Sequence, residues 1–521
     1  MIGGTGIFGS RLVEGIRRTT DLAVTIATRT PSARPDHIVL DATTVTPDAL
    51  KGTGAFAIID AAGPFQGGNH HLAKTAIAAG LHYIDLADAR DFIAGFPALD
   101  AEARAAGVVA LTGASSTPAL SNAALDHLTW GWQRIDTVEI AIAPGNRAPR
   151  GLSVVRAILS YAGHPVRLFT GGAWTTRPGW GMTVRHTIPG IGRRWLGLCE
   201  TADLDLIPAR FAVRQSAIFR AGLELSLLHL GLLAASLPVR AGLLRSLAPF
   251  ARPFRALAAL FTPFGTDRGG MAVTATGLDA AGTPIRAQWA LVAESGHGPV
   301  IPTLPALAAL RALATGTLSP GARPCVDLPL AAITAEFAGH RITAGITPCL
   351  FATALGPDFS RLPAAIRHLH HVPRAAGKAE VDGPQGPLAR LVAAIIGLPA
   401  PGMDIPVAVT ITATPDGEIW ERNFAGSRFT SHLSLSRAGG LAERFGPLTF
   451  DLAVTAGPAG IGAMAIRAWR IGPLPLPCRL APISIASETI DATGRFRFDV
   501  ALHLPFRLGR IVRYRGWLLP R

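Results

Sequence analysis

The sequence predicts a chain of three parts: an α/β domain built on a parallel sheet, an α+β second domain, and a β-rich antiparallel domain at the C-terminal end. Three observations carry that prediction. A glycine-rich turn stands at the start, and apolar runs alternate with helix-like stretches from there to about residue 130. The middle region mixes the two patterns without regular alternation. From about 346, short alternating runs recur between turn residues. At 521 residues, 49% apolar and 16% charged, the chain is long enough for several cores and too apolar to be largely disordered. The expected domains are 1–130, 131–345 and 346–521.

The opening turn is Gly4-Thr5-Gly6-Ile7-Phe8-Gly9. In a GxGxxG turn the first glycine permits a tight bend, and the second lets the backbone approach a pyrophosphate. The third lets the following helix pack closely on the sheet. A helix over 10–18 then directs its free amides toward phosphate oxygens. The runs 22–28, 55–62, 83–86 and 108–112 read as strands, with helices over 69–79 and 96–106. That spacing is the βαβ alternation of a Rossmann-like parallel sheet, covered on both faces, and a dinucleotide is its expected ligand. Only Met1 and Ile2 precede the glycines, short of a strand of about five residues. Further β-prone residues upstream are therefore expected.

The end of the second strand selects the cofactor. An NAD-binding domain places a carboxylate there for the ribose hydroxyls. Here the strand ends Ala27-Thr28-Arg29-Thr30, with no carboxylate before Asp36. Arg29, with Arg34 nearby, suits a 2′-phosphate through its donor fork, so NADP is expected ahead of NAD. The competing reading is that both arginines are solvated loop residues. Asp41, after the run 37–40, is placed to face the adenine ring.

Two further stretches narrow the field: Asp60-Ala61-Ala62-Gly63-Pro64-Phe65, and Ala78-Ala79-Gly80-Leu81-His82-Tyr83-Ile84-Asp85-Leu86. With the glycine turn, they resemble the saccharopine dehydrogenase-like NAD(P)-binding oxidoreductase family. The resemblance is close over roughly 1–130 and loose over 131–335. It implies that Ala62, Gly63, Pro64 and Phe65 end the fourth strand on the nicotinamide side. It also implies an acidic residue shortly after the Tyr83-Ile84-Asp85 strand, where this chain has Asp88 and Asp91. The loop Gly113-Ala114-Ser115-Ser116-Thr117-Pro118 continues the pattern. The implied activity is hydride transfer between NADP and a small organic substrate. The substrate-binding residues of true saccharopine dehydrogenases find no counterpart. Tyr161 lacks a lysine four residues later, so no catalytic residue is assigned. A nucleotide-sensing or scaffold protein is the alternative class.

A second resemblance covers about 350–521. Leu355-Gly356-Pro357-Asp358-Phe359, Leu362-Pro363, His370, Trp420-Glu421-Arg422-Asn423-Phe424, Glu443-Arg444-Phe445-Gly446-Pro447 and Tyr514-Arg515-Gly516-Trp517-Leu518 resemble the bacterial domain DUF4166. That likeness implies no chemistry. Strands are expected at 407–414 and 418–424, joined by a Pro415-Asp416-Gly417 turn, and at 448–455, 463–470, 483–491 and 495–502. Helices are expected at 358–371 and 388–396. Many antiparallel strands imply a sheet or barrel, and a barrel can enclose an apolar ligand, which makes lipid handling a further alternative. His368, His370 and His371 lack the HExxH spacing, and no metal is expected.

The net charge of +14 is unevenly spread. Residues 1–135 hold ten Lys/Arg and twelve Asp/Glu, a net of −2, which leaves +16 for 136–521. No helix-turn-helix, zinc-finger spacing or basic-aromatic interleaving accompanies it, so nucleic-acid binding is not expected. Residues 214–260 hold Arg214, Arg220, Arg240, Arg245, Arg252 and Arg255 against Glu224 alone. Phe250, Phe254, Leu257 and Phe261 recur there at helical spacing. The segment 214–264 reads either as a peripheral membrane contact or as a hairpin packed internally or at a homodimer interface. Trp174, Trp180 and Trp195, near Arg185, His186, Arg193 and Arg194, read as a substrate pocket or as ordinary packing. Cys199, Cys325, Cys349 and Cys478 form no CxxC pair. With no signal peptide at the start, a cytoplasmic location is expected, in reach of the inner face of the membrane.

Overall fold

The computed structural model describes residues 1–520 except 150, 281, 283, 348, 373, 415, 416, 437, 438 and 458. They divide into two compact units, one of 1–275 with 288–346 and one of 276–287 with 347–521.

The first unit opens with Ile2, which bridges in parallel to both Ala27 and Asp60 and so occupies the centre of a sheet. On one side lie β1 (Ile26–Thr28) and β2 (His37–Val39). On the other lie β3 (Ala57–Asp60), β4 (His82–Asp85) and β5 (Val109–Thr112). All these pairings are parallel, and Ile2 stands where the first strand of a Rossmann-like order belongs. Of the expected run 22–28, only Ile26–Thr28 forms a strand. Met1 also lies beside it, its ammonium donating to the Thr25 carbonyl at 2.8 Å and its carbonyl accepting from the Ala27 amide at 2.9 Å. Burial lowers that amine to a pKa of about 6. Helix α1 (Ile7–Thr19) buries Gly9, Leu12, Val13 and Ile16 on the sheet, the i, i+3, i+4, i+7 pattern of one apolar face. The stretch expected as one helix over 96–106 is a 3₁₀ turn, Phe96–Leu99, running into an α-helix, Asp100–Ala105.

A second sheet follows: β6 (Arg134–Ala143), β7 (Pro165–Thr170), β8 (Ala173–Pro178), β9 (Val184–Ile188), β10 (Gly192–Leu198), β11 (Ser216–Ala221), β12 (Gly269–Leu278) and β13 (Pro284–Ala293). The chain then returns to the first sheet. Strand β14 (Gly321–Pro324) pairs in parallel with β5 before β15 (Ile342–Ile346) closes the second sheet against β13. The second sheet runs β15-β13-β12-β6-β11-β10-β9, with β7 and β8 off β11, giving the mixed α+β middle region. Trp180 is wholly buried, its indole N–H donating to the His229 carbonyl at 3.2 Å. Trp174 lies exposed under Arg167, and Trp195 faces Arg185, so the three tryptophans sit in three different surroundings.

The segment 214–264 is helical only in part: it opens with β11, where Arg220 is buried and paired with Glu139 at 2.9 Å, and then folds into helices Ser226–Ala235, Leu237–Arg240 and Ala251–Leu260. Among the described residues, no helix is long and apolar enough to cross a membrane. Leu243 (83% exposed), Leu257, Leu260 and Phe264 nevertheless face outward.

The second unit is an antiparallel barrel. Its strands are β16 (Arg374–Asp382), β17 (Gly402–Thr414), β18 (Gly417–Phe424), β19 (Ser427–Leu435), β20 (Leu441–Phe445), β21 (Leu448–Gly457), β22 (Gly460–Ile471), β23 (Leu474–Leu476), β24 (Ile483–Ile490), β25 (Phe496–His503) and β26 (Arg510–Pro520). The order β21-β20-β19-β18-β17-β16-β26-β25-β24-β22 closes on itself through β21 with β22, and β23 extends β22. Strands β17 and β18 pair as a hairpin, although its turn residues Pro415 and Asp416 lie outside the described residues. The helix expected over 358–371 is two helices, Pro357–Arg361 and Ala364–Leu369. Leu362 is extended (φ −64°, ψ 149°) because the following Pro363 disfavours helical backbone before it.

Candidate functional site

The glycine turn is built by close backbone approach. Gly3 bends the chain at φ +71°, a conformation that penalises any side chain. The Gly6 amide donates to the Gly3 carbonyl at 2.9 Å, and Gly6 caps α1. A Cβ at Gly9 would lie 2.1 Å from the Gly3 carbonyl oxygen, so only glycine lets α1 sit against the turn. One at Gly4 would come within 2.9 Å of Ile26, and one at Gly6 within 3.2 Å of Gly3 O. The first amide to close on a helical carbonyl is that of Ser10, on Gly6, at 3.0 Å. Ile7, Phe8 and Gly9 thus present helix-end amides, and no carboxylate stands in the first turn. Thr5 and Gly6 are exposed beside them, while Ile7 and Phe8 are half-buried. An anion meets donors and partial positive charge there.

Arg29 and Arg34 are both exposed between β1 and β2. Asp36, the nearest carboxylate in the sequence, is engaged by Arg17. Asp41 follows β2, and its Oδ1 accepts from the Thr43 amide at 2.9 Å and the Thr43 hydroxyl at 2.7 Å. Those bonds, with the charge of Arg29 nearby, hold its carboxyl below the usual range. Arg29 and Asp41 therefore belong to one corner of the sheet.

Ala62, Gly63 and Pro64 are exposed at the end of β3, whereas Phe65 turns inward against Phe92, with ring centroids 5.3 Å apart. The next residue, Gln66, donates its side-chain amide to Asp88 Oδ1 at 3.1 Å, which ties the loop after β3 to the loop after β4. Behind them lies a buried network. Asp85 Oδ1 accepts from the Gly113 amide (2.7 Å), the Ala87 amide (2.9 Å) and the Thr112 hydroxyl (2.9 Å), which fixes the start of the 113–118 loop. Burial, opposed by those bonds, raises its pKa to about 7. Burial raises Asp60 in the same way, and the Tyr83 hydroxyl lies beside both carboxyls.

The second sheet brings one more group. The Tyr161 hydroxyl and Cys199 Sγ are 2.8 Å apart. Burial lifts the phenol well above its ordinary value and the thiol to about 12, with the negative charges of Asp88 and Glu200 adding to both. Both therefore keep their protons near neutral pH, and Cys199 is no thiolate nucleophile. Among the described residues no cluster suits a metal ion. His370 instead bonds Glu488 at 2.8 Å and stacks on Phe351.

The resemblance points to Asp88 and carries Asp85 only as part of the Tyr83-Ile84-Asp85 stretch, without a role of its own. A lone aspartate between Tyr83-Ile84 and Leu86-Ala87, in a run that reads as a strand, was the available signal for a buried acid. Nothing in the sequence brings Tyr161 to Cys199, since the strands between them set that distance.

Together these features make the first unit a Rossmann-like fold of nucleotide-binding type. Comparisons with known proteins give the following likenesses. The family model described as "Domain of unknown function (DUF4166)" matches residues 362–518, which lie within the barrel unit. No curated protein matches the chain. Among solved structures, apo saccharopine dehydrogenase (L-Glu forming) from Saccharomyces cerevisiae is similar at 14% identity and a TM-score of 0.49, covering 66% of this chain and 98% of that one. A mutant meso-dapdh with DAP from Clostridium tetani E88 is similar at 13% identity and a TM-score of 0.35, covering 64% and 94%. At such values the fold is read from the chain's own strand order and glycine turn.

Proposed function

We propose that the chain is an NADP-dependent oxidoreductase that moves hydride to or from a carbonyl, imine or equivalent carbon of a small organic molecule. The observation that carries this reading is the glycine turn at the head of α1, where Gly9 admits no side chain and three helix-end amides stand open. Gly4, Thr5, Gly6, Ile7, Phe8 and Gly9 would hold the pyrophosphate. Arg29 and Arg34 would take the 2′-phosphate, Asp41 would border the adenine, and Ala62 to Phe65 would border the nicotinamide. The bound cofactor supplies the hydride; the chain supplies position, shielding from water and proton handling. Asp88, held by Gln66 next to that loop, is the carboxylate best placed to exchange a proton with substrate. Exposed Leu243, Leu257, Leu260 and Phe264, beside Arg245, Arg252 and Arg255, support peripheral contact with an anionic membrane as part of the same proposal.

Fluorescence titration of the full chain with NADPH and NADH tests the cofactor assignment. NADPH is expected to bind at least tenfold more tightly, and absence of saturable binding by either nucleotide overturns the reading. Substrate-dependent NADPH oxidation, screened over carbonyl and imine compounds, then tests the chemistry, with loss of turnover in Asp88→Asn as the expected result.

A further inference from the structure

The barrel encloses a cavity of about 360 Å³. A closed sheet of about eight strands is just filled by side chains or holds one small ligand, and diameter grows with strand number. The order given above closes ten strands, so the interior is wider than its own side chains fill. Its wall is apolar over most of its surface, formed by residues such as Phe424, Met464, Ala486, Phe498, Val500 and Leu502. Three charged residues stand in the wall, and each has a protein partner. Arg422 donates to the Ser431 hydroxyl at 2.8 Å and to Glu443 at 3.3 Å, and Glu488 lies 2.8 Å from the His370 imidazole. A volume of this size falls within the range of ligand pockets and is well above the space that holds a single aromatic ring.

The rim has a second, independent character. The helix Pro387–Ile396 turns Val392 and Ile396 into the cavity and leaves Leu388, Leu391 and Ile395 exposed, Ile395 by 76%. Leu504 and Pro505 also line the cavity, and the next residues, Phe506 (65% exposed) and Leu508, point outward. Leu480 lines it and is itself exposed. The only charges on these three segments are the exposed arginines Arg390, Arg479 and Arg507. No carboxylate occurs in 383–403, 472–487 or 503–521. Exposed apolar side chains on segments that line an apolar cavity, with arginines as the only charges on those segments, match an anionic bilayer in both hydrophobicity and sign of charge.

We propose that the barrel is a binding site for a single-chain anionic amphiphile, of the fatty-acid or lysophospholipid class, taken up from an anionic membrane surface. The acyl chain occupies the cavity, and the head group stays at the rim with Arg390, Arg479 and Arg507. The helix Pro387–Ile396 joins the two, one face lining the cavity and the other meeting lipid. This site is independent of the nucleotide reading, and its test involves no nucleotide.

The test uses the full chain and cis-parinaric acid, a fluorescent C18 fatty acid. Saturable binding at one molecule per chain is expected. Ala486→Trp, which fills the cavity, should weaken it at least tenfold, and Val500→Trp provides the same block if the first variant fails to fold. Transfer of the probe from phosphatidylglycerol vesicles should be at least tenfold faster than from phosphatidylcholine vesicles. The surface variant Leu391→Gln/Ile395→Gln, which removes apolar surface without adding charge beside the head group, should slow that transfer at least fivefold while leaving binding of free probe unchanged. No saturable binding by the wild type, or unchanged binding in a folded cavity-filling variant, overturns the site. Equal transfer from both vesicle types, or no effect of the rim variant, overturns the membrane source.

Discussion

The parallel sheet of the first unit and the barrel of the second build their sites by opposite means. In the parallel sheet the strands are three or four residues long, and the candidate site lies beyond their ends, in backbone amides and loop side chains. In the barrel most strands run eight to thirteen residues, and the cavity wall is the inward-facing half of the strands themselves. Loop-built sites carry short, ordered sequence signatures, because a turn dictates particular residues at particular offsets. A strand-built cavity asks only for alternation and bulk, which any barrel core also asks for.

The sharpest way to break the comparison is to remove one signature residue from the loop-built site. Gly9→Val places a branched side chain where even a Cβ would lie 2.1 Å from a carbonyl oxygen. Calorimetric titration is expected to show NADP binding weakened by at least a hundredfold. Gly6→Val, with more room at 3.2 Å, should weaken it by at least tenfold and leave the unit folded. Equal affinity in both variants would mean that the turn does not hold the pyrophosphate.

Arg29 comes next. A charge-assisted bond to the 2′-phosphate is worth about 1.5–3 kcal/mol, or roughly ten- to a hundredfold. Arg29→Ala should weaken NADP by about that factor and leave NAD nearly unchanged, measured as paired dissociation constants at fixed ionic strength. Equal weakening of both cofactors would reduce Arg29 to a loop-shaping residue.

Asp85 yields a pH-dependent effect. Its folded-state pKa of about 7 stands above the ordinary 3.8, so the neutral acid is favoured by folding. The associated stabilisation is present in full below pH ~4 and is lost as pH rises toward 7. Asp85→Asn stays neutral throughout, so its stability relative to wild type should climb across that window by about 1–2 kcal/mol, under a ceiling near 4 kcal/mol. Urea unfolding at pH 4.5 and 7.5 checks it, and a flat difference would count against the buried acid.

The barrel supplies the smallest effect. Arg515 and Glu380 pair across β26 and β16 while each remains about one-third exposed, and water screens such pairs. Arg515→Ala should cost under about 1 kcal/mol in thermal unfolding. A larger loss would show that the barrel, like the parallel sheet, leans on particular polar residues.

The same contrast explains what the sequence made legible. Gly4 to Gly9 foretold both the sheet type and the shape of the turn, because each glycine answers a steric demand. The hairpin strands over 407–414 and 418–424 were legible from their alternation and from the turn residues Pro415-Asp416-Gly417 between them. The split at Leu362-Pro363 was written in the sequence and outweighed there by the apolar periodicity across it. Trp180 read as well for a pocket as for a core, since burial is decided by neighbours distant in sequence. The partnership of Tyr161 with Cys199 depends on strand packing in the same way and left no local trace.

The return of β14 has a consequence for biosynthesis. Val109 pairs with Gly321, so the edge of the first sheet stays bare until the entire second sheet up to β13 has been translated. At about 5–20 residues per second, β5 waits on the order of 10–40 seconds as an open strand edge. Nascent chains arrested before Gly321 should therefore be cut by protease near 109–112, and chains arrested well past Pro324 should resist, which makes the ribosome's progress the last assembly step of the amino-terminal sheet.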